Sequence, residues 1–246
     1  MNTICHAATT DVGRVRTANE DRWFADPAQG LYLVADGMGG SAAGGLASQI
    51  VAEVLPKLLA RRLGGNATAL DTQAAEQLSA VVAELSEQLR EESRDAPGLR
   101  GMGSTVVLAM VRGTHAVISH LGDSRAYLLR AGKLRRLTKD HTIAQLLLDR
   151  GELTPEEAAG HPSQSRLTRF VGMGTDAASE TETIELAPGD RLLLCTDGLT
   201  GMITDQQILA ILTEHSDPEG ACRRLVAAAN EAGGKDNITA VVVQMA

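Results

Sequence analysis

Four aspartates stand where apolar runs begin or end. Residues 31–35 lead into Asp36-Gly37, and residues 117–121 lead into Gly122-Asp123. Residues 192–196 lead into Asp197-Gly198, and Lys235-Asp236-Asn237 opens the run 238–243. Taken singly, each is ordinary turn chemistry, since Asp bonds its own backbone and Gly tolerates unusual dihedrals. Taken together they point elsewhere. If those runs are strands lying side by side, the carboxylates meet at one rim and repel one another, and a cation must compensate or some stay protonated. A donor set made of oxygen alone suits Mg²⁺ or Mn²⁺ rather than zinc, which prefers His and Cys.

The elements that must position these residues follow from periodicity. Residues 31–35, 105–111, 116–121, 126–129, 192–195 and 238–243 are short runs rich in Val, Ile and Leu, and predict strands, several buried on both faces. Leu46, Ile50, Val54 and Leu58 recur at helical spacing, as do Ala74, Leu78, Val81, Leu85 and Leu89, and Cys222, Leu225, Val226 and Ala229. One strand leads to two long helices; three or more strands, a short helical stretch, two strands, two helices and a last strand follow. Strands in succession with segregated helices predict an α+β fold, two sheets packed on each other with helices outside. Gly64-Gly65-Asn66 and Ala96-Pro97-Gly98 read as turns within one domain, 1–246, since no linker or repeat divides the chain.

Gly37-Met38-Gly39-Gly40-Ser41-Ala42 matches the dinucleotide-binding pattern of a glycine-rich loop between strand and helix. Asp36 would then set a negative charge against the pyrophosphate. Arg61-Arg62-Leu63-Gly64-Gly65 also stands where a second strand should begin, so the pattern is set aside. No phosphate loop of the G-x-x-x-x-G-K-[ST] type is present.

Composition narrows the class further. The 246 residues are 43% hydrophobic but only 2% aromatic, so aliphatic side chains must fill the core. With 31 acids against 23 bases the formal charge is −8, and no basic stripe suggests nucleic acid. Cys5, Cys195 and Cys222 are too few and odd in number for a disulfide framework, and read as structural thiols. No signal-like start and no apolar run of about 18 residues is found. A cytoplasmic monomer that touches neither nucleic acid nor membrane is expected.

Eight segments in order resemble the bacterial branch of the PPM/PP2C family of metal-dependent serine/threonine phosphatases. They are Arg16-Thr17-Ala18-Asn19-Glu20-Asp21, Val34-Ala35-Asp36-Gly37-Met38-Gly39-Gly40, Gly101-Met102-Gly103-Ser104-Thr105, Gly122-Asp123-Ser124-Arg125, Thr138-Lys139-Asp140-His141, Leu167-Thr168-Arg169, Thr196-Asp197-Gly198-Leu199 and Gly234-Lys235-Asp236-Asn237-Ile238-Thr239. The resemblance implies the PP2C-like β-sandwich, and hydrolysis of phosphoserine and phosphothreonine by direct attack of a metal-bridging hydroxide. It implies two Mn²⁺ or Mg²⁺ ions, with a third in bacterial members. Asp36 would bridge two ions and the Gly37 carbonyl would join one. Asp197 and Asp236 would complete the other, and Asp123 with Asp197 would hold the third. Glu20 and Asp21 would act through bound water, Asn237 would orient the metal shell, and Arg16 would grip the substrate phosphate. Asp36, Asp197, Asp236 and Arg16 are the residues on which catalysis would rest. The segment 141–166 would form a flap beside the site. Phosphorylated proteins, among them a cognate Ser/Thr kinase and its substrates, would be the partners. An inactive phosphoprotein- or kinase-binding module is the alternative; inactive relatives usually lose a metal-binding acid, and every matched acid is present here.

The proton donor for the leaving alkoxide is open. Met38 and Ser41 stand where relatives carry histidine. His141 and His161 flank the flap but read first as structural, His120 as a core residue, and His115 and His215 as surface residues. Ser104 and Thr105 read as backbone-bonding residues, Arg125 as half of an internal ion pair, and Arg61-Arg62 as a solvated helix end suited to a C-terminal dipole.

Overall fold

Residues 31–35 are buried on both faces, so a layer must cover each side of their strand. In the computed structural model, which describes residues 4–39, 43–63, 72–96, 98–174 and 177–246, those layers are a second sheet and a helix pair. The chain begins with β1 (Ile4–Asp11), β2 (Asp21–Asp26) and β3 (Leu31–Met38), then α1 (Ala43–Leu63) and α2 (Thr72–Arg94). A two-residue β4 (Gly103–Ser104) precedes β5 (Val106–Arg112), β6 (His115–Leu121), β7 (Arg125–Arg130) and β8 (Lys133–Arg136). The short helices α3 (Ile143–Asp149) and α4 (Pro155–Ala159) follow. The chain ends with β9 (Glu180–Glu185), β10 (Arg191–Cys195), α5 (Asp197–Thr200), α6 (Asp205–Glu214), α7 (Pro218–Glu231) and β11 (Ile238–Met245).

One sheet has the order β1-β11-β10-β7-β8 and the other β2-β3-β5-β6-β9, with β4 paired to the end of β3. Every ladder is antiparallel. Alternation along the strands sorts their side chains into layers. Leu31, Leu33 and Ala35 join Val51, Leu55, Leu78 and Leu85 under α1 and α2. Tyr32 and Val34 point the other way, into a layer between the sheets with Leu192, Leu194, Val241 and Val243. Leu193, Cys195, Ala240 and Val242 then face α6 and α7. The expected α+β architecture, two antiparallel sheets flanked by helices, is the observed one.

All six strands located from the sequence are interior strands of these sheets. Of the five it did not locate, the two-residue β4 pairs only with β3, and β1, β2, β8 and β9 are the edges. Edge strands carry more exposed and charged residues, as in Glu180–Glu185, and so lack the apolar runs that gave the others away. Consequently three strands, not one, precede the long helices.

The α1 stripe also needs correction. Leu46 is exposed, and Ile50, Val54 and Leu58 only flank the core. The buried row lies one residue on, at Ala47, Val51, Leu55 and Leu59. Both rows are apolar, and small Ala47 allows the helix to lie close to the sheet. The α2 and α7 stripes are buried as expected. Ser41, the turn at 64–66 and Pro97 lie outside the described residues.

The flap expected at 141–166 contains α3 and α4. It is closed at its base by hydrogen bonds from Ile143 N to Arg166 O (2.9 Å) and from Thr168 N to His141 O (2.8 Å). Thr142 caps α3, and Thr154 with Glu157 forms a capping box on α4.

Leu194 is fully buried between the sheets. Leu194→Ala should cost about 2–5 kcal/mol, because the two sheets cannot collapse onto the gap. Urea unfolding should show the midpoint lowered with the slope unchanged. A loss below about 1 kcal/mol would mean that the sandwich closes over the cavity after all.

Candidate active site

The ends of both sheets supply one rim. Asp21 opens β2 directly opposite Asp36 near the end of β3. Asp123 follows β6, Asp197 follows β10, and Asp236 precedes β11. Arg16, Glu20, Asp36, Gly37, Asp123, Asp197, Asp236 and Asn237 all line a single cleft of about 380 Å³. Asp21 lies behind this wall, 1% exposed.

The two Asp-Gly pairs owe their glycines to close approach rather than to turn geometry. A Cβ on Gly37 would stand 2.0 Å from the Gly44 carbonyl oxygen, and one on Gly198 would stand 1.9 Å from that of Asn237. Gly198 therefore lets the Asp197 segment abut the Asp236–Asn237 segment, which comes from a neighbouring strand.

Uncharged groups fix the carboxylate carriers. The Asp36 backbone N–H donates to Thr105 Oγ1 (3.0 Å), and its carbonyl accepts from Thr105 N (2.8 Å) and Ser104 Oγ (3.0 Å). Ser104 and Thr105 thus serve the backbone, as expected. Asp21 Oδ2 accepts from Thr196 Oγ1 (2.9 Å) and Thr239 Oγ1 (2.7 Å). Asn237 accepts the Glu20 N–H (2.8 Å) and donates to the Val12 and Ala18 carbonyls, each at 2.9 Å. Its amide therefore holds the loop that carries Arg16 and Glu20. Gly45 N donates to Glu20 Oε1 (3.3 Å), and Ser48 Oγ donates to the Glu20 carbonyl.

The rim is electrostatically unbalanced. Burial first, and then neighbouring aspartates, push the carboxyls of Asp36 and Asp123 well above the usual range. Burial and then Asp236 raise the carboxyl of Asp197. Asp21 is pushed up to about 7, chiefly by burial. Among the described residues, Asp21 Oδ1 and Asp197 Oδ1 are buried without a hydrogen-bond partner. Buried polar atoms are normally satisfied, so these two oxygens together with an all-oxygen lining fit a hard divalent cation. Among the described residues, the one guanidinium on the cleft is that of Arg16, whose Nη2 lies 2.7 Å from Asp236 Oδ2 with its side chain half exposed.

No histidine is among the described residues lining the cleft. His141 and His120 are buried behind it, and His161 Nδ1 accepts a bond from Ser163 N (3.1 Å). His115 is exposed and His215 half-buried. Met38 does line the cleft. Arg125 forms the internal pair expected, its Nε and Nη2 donating to the Asp140 carboxylate at 3.1 and 2.7 Å. Cys195 and Cys222 are buried thiols pushed up to about 12 by burial, and Cys5 is exposed. Sequence reasoning gave no role to Thr196, Thr239 or Ser124. The signal was a hydroxyl residue beside each of Asp123, Asp197 and the Asp236–Asn237 pair. Nor did it single out Thr17, Ala18, Ser165 and Leu167 as lining residues; Ser165 lies near the end of the segment 141–166 and Leu167 just beyond it.

The site is thus a carboxylate-lined cleft at one end of an α+β sandwich. The sequence profile of the Protein phosphatase 2C family matches residues 13–232, and the chain belongs to that family. The Serine/threonine protein phosphatase PstP of Mycobacterium tuberculosis is 40% identical over 98% of this chain, which spans 45% of the length of that protein. Protein phosphatase PhpP of Streptococcus pneumoniae is 35% identical, with 96% of this chain and 95% of PhpP covered. A crystal structure of the PstP catalytic domain in complex with two manganese ions superposes with a TM-score of 0.85, at 35% identity, covering 100% of this chain and 99% of that one.

Carboxyls raised in the folded protein bind more protons than in the unfolded chain, so they lower stability as pH rises from about 4 towards 7. A cation that displaces those protons should stabilise most where they are already lost. The rise in Tm caused by saturating Mn²⁺ should therefore be larger at pH 7.5 than at pH 5.5, by calorimetry. An equal rise at both values would show that the rim does not bind the ion.

Proposed function

We propose that this chain is a metal-dependent protein serine/threonine phosphatase, acting as one domain over 1–246 with the flap at 141–166 beside its site. The observation that carries this reading is the meeting of Asp36, Asp123, Asp197 and Asp236 on one cleft, with Asp21 behind them and two buried carboxylate oxygens unpartnered. Resemblance to a relative crystallised with two manganese ions supports the same reading.

Asp36 and the Gly37 carbonyl on one side, and Asp36 with Asp197 and Asp236 on the other, would hold two divalent cations. Asp123 with Asp197 would hold a third. Glu20 and Asp21 would act through water. When bound, Mn²⁺ or Mg²⁺ would supply charge neutralisation for the phosphoryl oxygens and a water acidic enough to attack phosphorus near neutral pH.

The remaining work falls to the chain itself. Phosphoryl transfer asks chiefly for positioning and electrostatic stabilisation. Arg16 would bind the phosphate, its planar fork matching two oxygens. In the structure it rests on Asp236, and both side chains are partly exposed. Such a pair contributes only about 0–1 kcal/mol, so exchanging it for a phosphate costs little. Thr105 and Ser104 keep Asp36 in place, and Asn237 keeps the Arg16 loop over the cleft. With no histidine among the described lining residues, the leaving alkoxide would take its proton from water held in the cleft. Neither Cys195 nor Cys222 lines the cleft, so no thiol nucleophile competes with direct attack.

Phosphoserine and phosphothreonine proteins are the substrates this reading names, and a Ser/Thr kinase is the natural opponent. Free thiols fit a reducing cytoplasm. Among the described residues no helix is long and apolar enough to cross a membrane.

Purified protein assayed on p-nitrophenyl phosphate and a phosphothreonine peptide should release phosphate with Mn²⁺ or Mg²⁺ and not with EDTA. Asp36→Ala and Asp197→Ala should each lower kcat by more than about 100-fold, exceeding the loss typical of outer-shell changes. Full activity in EDTA, or unchanged rates in both variants, would overturn the proposal. Arg16→Ala should lower kcat/KM by about 10- to 100-fold, the worth of a charged hydrogen-bonded contact. Asp123→Ala should bind two ions per chain and turn over more slowly; a wild-type rate there would argue against a functional third ion.

A further inference from the structure

His141 opens the flap and does not line the cleft. Its backbone N–H donates to the Gly122 carbonyl (2.9 Å), and its carbonyl accepts from Thr168 N (2.8 Å), where the flap returns. Its ring Nδ1 accepts the Gly122 N–H at 3.0 Å. One residue thus makes two bonds to Gly122 and one to the far end of the flap. Gly122 has little freedom to move: its φ is +115°, and a Cβ there would lie 2.6 Å from Thr105 Cγ2. Asp123 is the next residue, and Ser124 Oγ is 2.7 Å from Thr105 Oγ1. The turn that carries Asp123 is therefore held by Thr105 on one side and by His141 on the other.

The bonding fixes the tautomer. A backbone N–H only donates, so Nδ1 carries the lone pair and Nε2 the proton. That proton points to Glu180 Oε1 at 3.1 Å. Arg169 Nη1 lies 3.2 Å from Nε2 but donates to the same Glu180 oxygen at 2.8 Å. The His120 ring stacks on His141, with centroids 4.7 Å apart. Burial, and after it His120 and Arg169, bring the His141 pKa down to about 4, so the ring stays neutral at pH 7.

His120, His141 and Glu180 also bring ligand atoms within 4.8 Å of one another, an arrangement that could suggest a cation. A cation would need the Nε2 lone pair, yet a neutral imidazole has one lone pair and Gly122 already occupies it at Nδ1. His120 Nε2 faces the Lys139 carbonyl at 2.7 Å and donates its proton there. Metal binding would strand the Gly122 N–H, so the bonding favours a neutral bridge.

We propose that His141 is a positioning residue whose neutral ring holds the Gly122 amide, so that the Asp123 turn and the base of the flap move as one unit. The inference rests on the proposed use of Asp123 in the cleft. It adds a link between flap and rim that runs behind the site.

Long-range ¹H–¹⁵N correlation on the wild-type protein reads the tautomer directly. Expected are an unprotonated Nδ1 and a protonated Nε2; the reverse would overturn the proposal even if no variant folds. Two substitutions then separate positioning from mere packing. His141→Leu keeps the bulk and loses the acceptor, whereas His141→Asn keeps an acceptor near Nδ1. The first should lower kcat on p-nitrophenyl phosphate about 10- to 100-fold with KM nearly unchanged, and the second should recover most of that loss. Wild-type kcat in His141→Leu, or equal losses in the two variants, would overturn it. So would Co²⁺ binding at wild-type His141 that is lost in His141→Asn. Wild-type activity in EDTA would defeat the phosphatase reading alone, because the tautomer measurement does not depend on it.

Discussion

Mutual repulsion among buried carboxylates is the constraint on which the rest of this structure depends. Five acidic side chains share one cleft, a sixth is enclosed behind it, and burial raises the affinity for protons of at least four of them. Without compensation such a rim would be a defect in a sandwich that is otherwise well packed. The fold does not compensate it from within. Arg125 and Arg136 are both bound to Asp140, and Arg130 is bound to Asp190. Among the described residues that line the cleft, Arg16 is the only guanidinium, and it is half exposed at the mouth. These arginines are thus tied to other acids, and the rim keeps its affinity for an external charge.

Holding repelling groups in place demands bonds that do not neutralise them. The carriers of Asp36, Asp123 and Glu20 are fixed through their backbones, by Thr105, Ser104, His141 and Asn237. The enclosed Asp21 is held by two hydroxyls. Hydroxyls and amides supply geometry without a full charge, so they position acids and leave them basic. Arginines in the same places would have satisfied the carboxylates and removed the reason for a cation to bind. The glycines serve the same end. At Gly198 two loops from neighbouring strands pack backbone against backbone, which brings the Asp197 and Asp236 segments together.

Much of this was legible in the sequence, and what was missed has a physical explanation. Interior strands announce themselves because both faces are buried; 192–195 is apolar throughout. Edge strands do not, and Glu180–Glu185 reads as a polar stretch because one side of its ladder is open. The α1 face was misplaced by one residue because adjacent rows are both apolar, and only packing decides which turns inward. The acids of the site stood out because each sits at a strand boundary. Their convergence did not, since it depends on register: Asp21 faces Asp36 through a β2–β3 pairing in which β2 could not be located beforehand. The glycines were recognised but explained as turns, whereas Gly37 and Gly198 answer to atoms remote in the chain or outside the local turn, which no local pattern displays.

The lack of a histidine among the described lining residues fits the same logic. An imidazolium at this rim would add a fixed positive charge to the acids and compete with a cation for them. The buried pair His120 and His141 is instead neutral by its surroundings: burial lowers both rings, and their hydrogen bonds run to backbone groups of Lys139 and Gly122. His120 and His141 thus work as uncharged spacers, for the same reason that hydroxyls rather than arginines hold the aspartates. The groups around the rim thus position its acids without neutralising them, and leave its affinity for an external positive charge intact.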